Sequence, residues 1–337
     1  MSAFRKLAAA LSTAAAGVGL AAYTRYRSEM REIRSRVEKG GTMVQTSVGP
    51  VEYAEQGEGE PMLTIHGAGG GYDQGLLIAR DFGSGHRLIA PSRFGYLKTP
   101  VPDEHTPAAQ ADAHAALLDH LRVARSIVVG TSAGAPSAIE LTLRHPKRVS
   151  ALVLLVPRTY HPTQAIGADE SVPSQAVLRL VEASADFLFW LAMRVSRGSV
   201  VRFLGVPPEV EARASKEERE RVTEVMNSIL PLSARVRGIE VDGLTDMSPW
   251  PLERIGVPTL IVSAEDDLYK TLPGARLTAE RIPGAELKGL GSGGHLMVGQ
   301  SERMREWVSD FLRRRRGKAT APPRRDRTVS KMLEPVT

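Results

Sequence analysis

The chain has 337 residues, long enough for one α/β domain with an insertion or for two domains, and its apolar and charged fractions are those of an ordinary globular protein. It contains no cysteine, which excludes disulfides, a cysteine nucleophile and cysteine-ligated zinc. The net charge of +6 sits on the ends: residues 1–39 hold eight Lys/Arg against three Asp/Glu, residues 313–337 hold nine against two, and the body at 40–312 is left at −6. A mildly acidic body without a basic stripe and interleaved aromatics argues against nucleic acid as a partner.

Arg5 and Lys6 precede an apolar run from Leu7 to Tyr23, after which basic residues resume at Arg25 and Arg27. The run lies at the lower limit for crossing a bilayer, roughly 17–25 residues, and is read first as a signal anchor within an N-terminal segment and linker at 1–39. Lys/Arg are denser on its C-terminal side, so an anchor would leave the globular body in the cytoplasm. A cleaved export signal, with Gly19 and Ala21 before the cut, and a soluble leader are the competing readings.

Beyond it, the patterns at 43–48 and 51–54, parted by Gly49-Pro50, predict a β-hairpin. A buried strand at 61–65 runs into His66-Gly67-Ala68-Gly69-Gly70-Gly71, and another strand is expected at 87–90. Helical spacing over 108–121 puts Ala115, Leu118 and Leu121 on one face and predicts that His114 and His120 lie at the surface. Strands are expected at 126–129 and 151–156, with a helix between them that Pro146 stops. Residues 157–252 show helical patterns and no convincing strand, including the apolar stretch 185–193 and a charged helix near 216–224. They predict an all-helical lid between a first core part at 40–156 and a second at 253–313.

The second core part should contain strands at 259–262 and 285–287 and a closing helix from Ser301 to Arg313. The tail at 314–337 is too charged and proline-rich to fold alone. Basic residues of this kind gain about 1 kcal/mol each near anionic lipid, so tail and apolar run together suggest membrane association. Strands alternating with helices imply an α/β protein with a mainly parallel central sheet and helices on both faces.

The chemistry centres on Gly130-Thr131-Ser132-Ala133-Gly134, between a predicted strand and a predicted helix. A Gly-x-Ser-x-Gly pentapeptide in that setting is a nucleophile elbow, holding Ser132 at the top of a sheet. An unassisted hydroxyl is a poor nucleophile near pH 7, so Ser132 needs a base. Among eight histidines, His295 follows Gly291-Ser292-Gly293-Gly294 in a loop after the last strand and is assigned that role. Glu265-Asp266-Asp267 offers three carboxylates just past a strand; Asp267 is assigned as the partner of His295, and Asp266 and Glu265 as solvated loop charges. An oxyanion hole is expected from the Ala133 N–H and from the loop at 66–69, through the Ala68 N–H with Gly69 as the alternative. His66 itself reads as a structural hydrogen-bonding residue.

These segments, with Glu265-Asp266-Asp267-Leu268-Tyr269 and Gly293-Gly294-His295, resemble the α/β-hydrolase fold family in its lid-bearing branch of esterases and carbon–carbon bond hydrolases. The likeness spans about 42–313, and Ala264 stands where many members have Gly before the acid. Ser132 disfavours the branches with an Asp nucleophile. The resemblance implies a serine hydrolase with an acyl-enzyme intermediate, acting on an apolar ester or related acyl substrate, with carbon–carbon bond hydrolysis or a non-catalytic ligand-binding member as alternatives. Phe187, Phe189 and Trp190 are expected to line an apolar acyl pocket, or else only to pack the lid. The chain has no dinucleotide fingerprint, phosphate loop or His-Glu-x-x-His, so neither a cofactor nor a metal is expected.

Overall fold

A computed structural model of the chain describes residues 2–162, 186–245 and 247–320, with side chains for 17 and from 19 up to 315. Helix α1 (Ser2–Gly40) leads into strands β1 (Thr42–Thr46), β2 (Gly49–Gln56) and β3 (Glu60–Ile65). Next come α2 (Tyr72–Ala79), β4 (His86–Pro91), α3 (Pro107–His120), β5 (Ser126–Thr131), α4 (Ala135–Arg144) and β6 (Val149–Leu155). Between β6 and β7 (Thr259–Ala264) the described residues form helices α5 (Asp186–Val195), α6 (Arg197–Phe203), α7 (Pro208–Arg213), α8 (Lys216–Ser228) and α9 (Val236–Leu244), and no strand. The chain closes with α10 (Leu272–Arg281), β8 (Glu286–Leu290) and α11 (Ser301–Thr320). Part of the predicted lid, 163–185 and residue 246, lies outside the described residues.

The eight strands form one sheet in the order β1-β2-β4-β3-β5-β6-β7-β8, antiparallel at β1–β2 and β2–β4 and parallel elsewhere. Successive side chains of a strand point to opposite faces, and β6 divides accordingly: Leu152 and Leu154 enter one apolar cluster with Leu117, Ile139 and Ile282, while Ala151, Val153 and Leu155 enter another with Phe82, Met304 and Val308. Both clusters are buried, which is why the central strands read as continuous apolar runs.

Three expectations are corrected. His114 is buried, not at the surface: α3 is so rich in alanine that neighbours approach it on nearly every side, and His114 Nε2 meets Ser137 Oγ at 3.2 Å. Second, no helix of the described residues is long and apolar enough to cross a membrane. The run at 7–23 is diluted by Ser12, Thr13, Gly17 and Gly19 and forms the first part of α1, whose second half packs on the helical segment. There Tyr26 meets Phe187 and Trp190 edge-on, at 5.1 and 5.5 Å between ring centroids, and Trp190 Nε1 donates to Glu29 (2.8 Å). Arg34 pairs with Asp186 (2.9 Å). Third, the basic tail does not begin as free chain. Helix α11 runs to Thr320, Arg314 pairs with Glu286 at 2.7 Å and Arg315 with Glu60 at 2.5 Å.

The buried histidine has a measurable consequence. Burial, with the Arg93 charge nearby, lowers His114 from the ordinary 6.5 to about 3. Between those values the unfolded chain binds a proton that the folded chain does not, so stability falls as pH drops from 6.5 toward 3, by up to about 1.4 kcal/mol per pH unit. His114→Gln is expected to flatten the acid limb of stability by one proton's slope, measured as urea unfolding free energies at pH 7, 6 and 5. An unchanged slope would show that His114 does not carry the effect.

Candidate active site

Strand β5 is buried along its whole length and delivers the chain to a one-turn 3-10 helix at Ser132–Gly134, after which α4 begins. Ser132 sits there at φ +49°, in the left-handed region that L-residues enter at a cost and that functional turns impose. The flanking glycines answer a packing need. A Cβ on Gly134 would lie 2.5 Å from His66 O, and one on Gly130 would lie 2.6 Å from Ala138 Cβ.

The three residues assigned to nucleophile, base and acid are brought together. Ser132 Oγ lies 2.8 Å from His295 Nε2, and His295 Nδ1 lies 2.9 Å from Asp267 Oδ2. The Asp267 side chain is wholly buried and that of His295 is one-tenth exposed. Asp267 Oδ1 accepts from the Tyr269 N–H (2.9 Å), and Oδ2 also accepts from the Thr271 hydroxyl. Burial opposes the charge on Asp267, but His295 and these hydrogen bonds outweigh it and hold the carboxyl below its ordinary range. The Tyr269 ring meets the imidazole edge-on, 4.8 Å between centroids.

Asp266 differs from the expectation of a solvated charge. Its carboxylate accepts from the Ser292 hydroxyl (2.8 Å), the Gly293 N–H (3.1 Å) and the Gly294 N–H (2.8 Å), so it shapes the loop that carries His295. Two adjacent carboxylates thus have distinct tasks, one toward the imidazole and one toward its loop. The sequence singled out Asp267 for the imidazole but gave no sign that Asp266 shapes the loop.

For the expected oxyanion hole, Ala68 and Ala133 line the space in front of Ser132, and Ala133 lies at the start of the 3-10 turn, where a helix leaves its first N–H groups unpaired. Gly69 is less suited, since its N–H donates to Tyr96 Oη at 3.3 Å. The loop is held from behind by His66, in the structural hydrogen-bonding role expected of it, and by Arg93, Asp242, Tyr96 and Arg235, which the sequence did not single out. His66 Nδ1 donates to Gly67 O (2.7 Å) and its Nε2 accepts from the Arg93 N–H (3.0 Å). Burial, reinforced by the Arg93 charge, lowers the His66 pKa well below that of an ordinary histidine, so it is neutral. The Arg93 guanidinium donates to His66 O and forms a bidentate pair with Asp242 of α9 (2.6 and 2.8 Å), and Tyr96 Oη donates to the same carboxylate (2.6 Å). Arg235, fully buried, donates to Gly70 O and pairs with Asp73 (2.8 Å). No local pattern announces such pairs, because their members stand about 150 residues apart.

Ser132 and His295 open into a cavity of about 670 Å³ between the sheet and helices α5, α6, α8 and α9, with mostly apolar walls that include Leu155, Phe203 and Ile229. Phe189 lines it. Phe187 and Trp190 do not, which corrects that part of the expected pocket: they turn away, stacked on each other and edge-on to Tyr26 of α1. Among the described residues no group of three or more His, Asp or Glu could hold a metal ion.

Comparison with known proteins identifies the family and the fold. The profile described as "alpha/beta hydrolase fold" matches residues 60–301. The chain is 29% identical over 265 residues to 2-hydroxymuconate semialdehyde hydrolase of Pseudomonas putida, covering 77% of this chain and 89% of that one. Among solved structures, an alpha/beta hydrolase fold protein from Nakamurella multipartita is 31% identical with a TM-score of 0.61, covering 81% of this chain and 99% of the other. An esterase from Rhodococcus sp. ECU1013, 20% identical with a TM-score of 0.61 over 81% of this chain and 98% of its own, shares the fold.

Proposed function

The chain belongs to the α/β-hydrolase family, and from that premise we propose that it is a serine hydrolase that breaks a carbon–carbon bond next to a ketone or aldehyde carbonyl. The observation that carries the acyl-transfer chemistry is the continuous chain Ser132 Oγ, His295, Asp267 at 2.8 and 2.9 Å, opening into the cavity. The relative named as a semialdehyde hydrolase favours carbon–carbon cleavage as its use.

In this reading His295 Nε2 takes the Ser132 proton as Oγ attacks the carbonyl carbon, and the Ala68 and Ala133 N–H groups receive the oxyanion. On collapse the carbon–carbon bond breaks, its electron pair leaves on the departing carbon as an enolate, and His295 returns the proton there. Water, deprotonated by His295, then releases the acyl group as a carboxylic acid. A substrate with a second carbonyl conjugated to the departing carbon meets this need. A second reading, hydrolysis of a carboxylic ester of a small or medium acyl group, uses the same residues with an alkoxide as leaving group. The apolar cavity walls favour it equally.

The test is a fluorophosphonate probe on the full-length chain, followed by mass spectrometry, beside Ser132→Ala. A single adduct on Ser132 that Ser132→Ala lacks is expected; no adduct on folded protein would sink the serine-hydrolase reading. Turnover of 2-hydroxymuconate semialdehyde against 4-nitrophenyl butyrate then separates the two leaving groups. Faster cleavage of the ester, with the semialdehyde untouched, would replace the first reading by the second.

A further inference from the structure

We propose that the second half of α1 is a strap across the back of lid helix α5, and that its grip sets how large an acyl group reaches Ser132. The strap stands on packing alone; its consequence for acyl size rests on the reading of Ser132 as nucleophile. The residues concerned lie outside the stretch, 60–301, that matches the family profile.

Tyr26, Met30, Ile33 and Val37 recur along α1 at helical spacing, with Glu29 and Arg34 beside them. The last turns of the helix are fixed to the core. The Tyr72 hydroxyl donates to Val37 O (2.8 Å), and Lys98 Nζ donates to Glu38 O (2.7 Å). From Val37 back to Tyr26 the helix reaches about 16 Å at 1.5 Å per residue. There it meets the lid. Tyr26 faces the rings of Phe187 and Trp190, Glu29 accepts from Trp190 Nε1 and pairs with Arg194, and Met30 is buried in one apolar cluster with Trp190 and Met193. Arg34 pairs with Asp186, which also accepts from the Ser233 N–H (2.9 Å) and hydroxyl (2.8 Å).

The ring and Glu29 contacts fall on one side of α5. With 3.6 residues per turn, Phe187, Trp190 and Arg194 share a face, and Phe189 and Ala192, which line the cavity, lie on the opposite one. Helix α5 is thus held between α1 and the cavity, and it cannot withdraw from Ser132 without sliding off Tyr26 and Glu29. The site is nearly closed: the His295 side chain is one-tenth exposed and Phe189 is buried. A long acyl chain therefore needs a wall to yield, whereas a short one fits the cavity as it stands. Lid motions of this kind gate entry in many enzymes.

The test uses the full-length chain and reads the ratio of kcat/KM for 4-nitrophenyl decanoate to that for 4-nitrophenyl acetate. The chain has no cysteine, so Glu29→Cys with Arg194→Cys puts one thiol on each helix and none elsewhere. A short bismaleimide with a disulfide in its spacer links them, and a reductant releases them. Linking is expected to lower the ratio by about tenfold or more, and the reductant to restore it. Tyr26→Ala, which removes two edge-on ring contacts, is expected to raise the ratio by about tenfold. A ratio unmoved by the link, or not raised in Tyr26→Ala, would show that α1 merely steadies the fold and would overturn the proposal. If neither ester turns over, the rates of Ser132 labelling by ethyl and decyl fluorophosphonates supply the same ratio. Amide hydrogen exchange needs no reaction at all. Over residues 186–195 it should speed by about tenfold in Tyr26→Ala while β5 is unchanged. Unchanged exchange in α5 overturns the strap whatever Ser132 does; faster exchange beside an unlabelled Ser132 keeps the strap and removes the serine-hydrolase reading.

Discussion

Asp267→Asn is expected to lower kcat by about four orders of magnitude while the protein stays folded. The reason lies in which oxygen faces which donor. Oδ1 accepts from the Tyr269 N–H, a main-chain donor that cannot reverse its role, so an asparagine at this position must put its carbonyl oxygen there. Its NH₂ then replaces Oδ2, which faces His295 Nδ1 and the Thr271 hydroxyl. Thr271 can adapt, because its hydroxyl can turn toward Ser263 Oγ, 2.9 Å away. His295 can adapt only by giving up the proton on Nδ1 and carrying it on Nε2. In that tautomer Nε2 points a hydrogen at Ser132 Oγ and cannot accept the serine proton. The check is steady-state turnover together with the rate of fluorophosphonate labelling at Ser132, with thermal unfolding to verify the fold. Turnover within tenfold of the wild type would show that the Asp267 charge and its hydrogen-bond pattern are not what poises His295.

The parts of this site that were legible in the sequence are those whose cause is local. Gly130 and Gly134 bracket Ser132 because the tight turn leaves no room for a Cβ, and the strand before it is apolar because both faces of the sheet are covered. Asp267 and His295 could be found because each follows a strand on the side of the sheet where Ser132 emerges, and glycines announce the His295 loop. What stayed hidden depends on contacts between distant segments. Asp242 looks like any charge on a helix until Arg93 and Tyr96 are seen to close on it. Leu7 to Tyr23 reads as a membrane run because hydropathy sees only composition, whereas the second half of the same helix finds its apolar partners near Phe187 and Trp190. The alanines of α3 misled in another way: small side chains let neighbours approach from several sides, so a one-face helical pattern underestimates how much of such a helix, His114 included, is buried.

Gly205→Ala should lower kcat/KM by about 100-fold or more, though the residue touches no reacting atom. Gly205 follows α6 at φ +77°, where an alanine costs roughly 1–2 kcal/mol. Its carbonyl accepts from both the Leu268 N–H (3.1 Å) and the His295 N–H (3.0 Å), so one peptide of the helical segment ties the loop of the acid to the loop of the base. A Cβ at this position would lie 2.6 Å from His295 Cβ and 2.6 Å from Tyr269 Cδ2. Neither atom is the free end of a flexible chain. His295 Cβ is fixed by its own backbone, and Tyr269 is held at its far end by a hydrogen bond from its hydroxyl to Phe203 O. Either the peptide withdraws and frees both loops, or the imidazole is pushed off its line to Ser132. A displacement on the order of 1 Å at a reacting group costs about 100-fold. Gly284→Ala, at φ +70° and where a Cβ meets open space, is the matched control. The rate of fluorophosphonate labelling at Ser132 reads the imidazole position directly. Wild-type labelling in Gly205→Ala would mean that the two loops hold His295 without the helical segment, and that the segment serves the cavity alone.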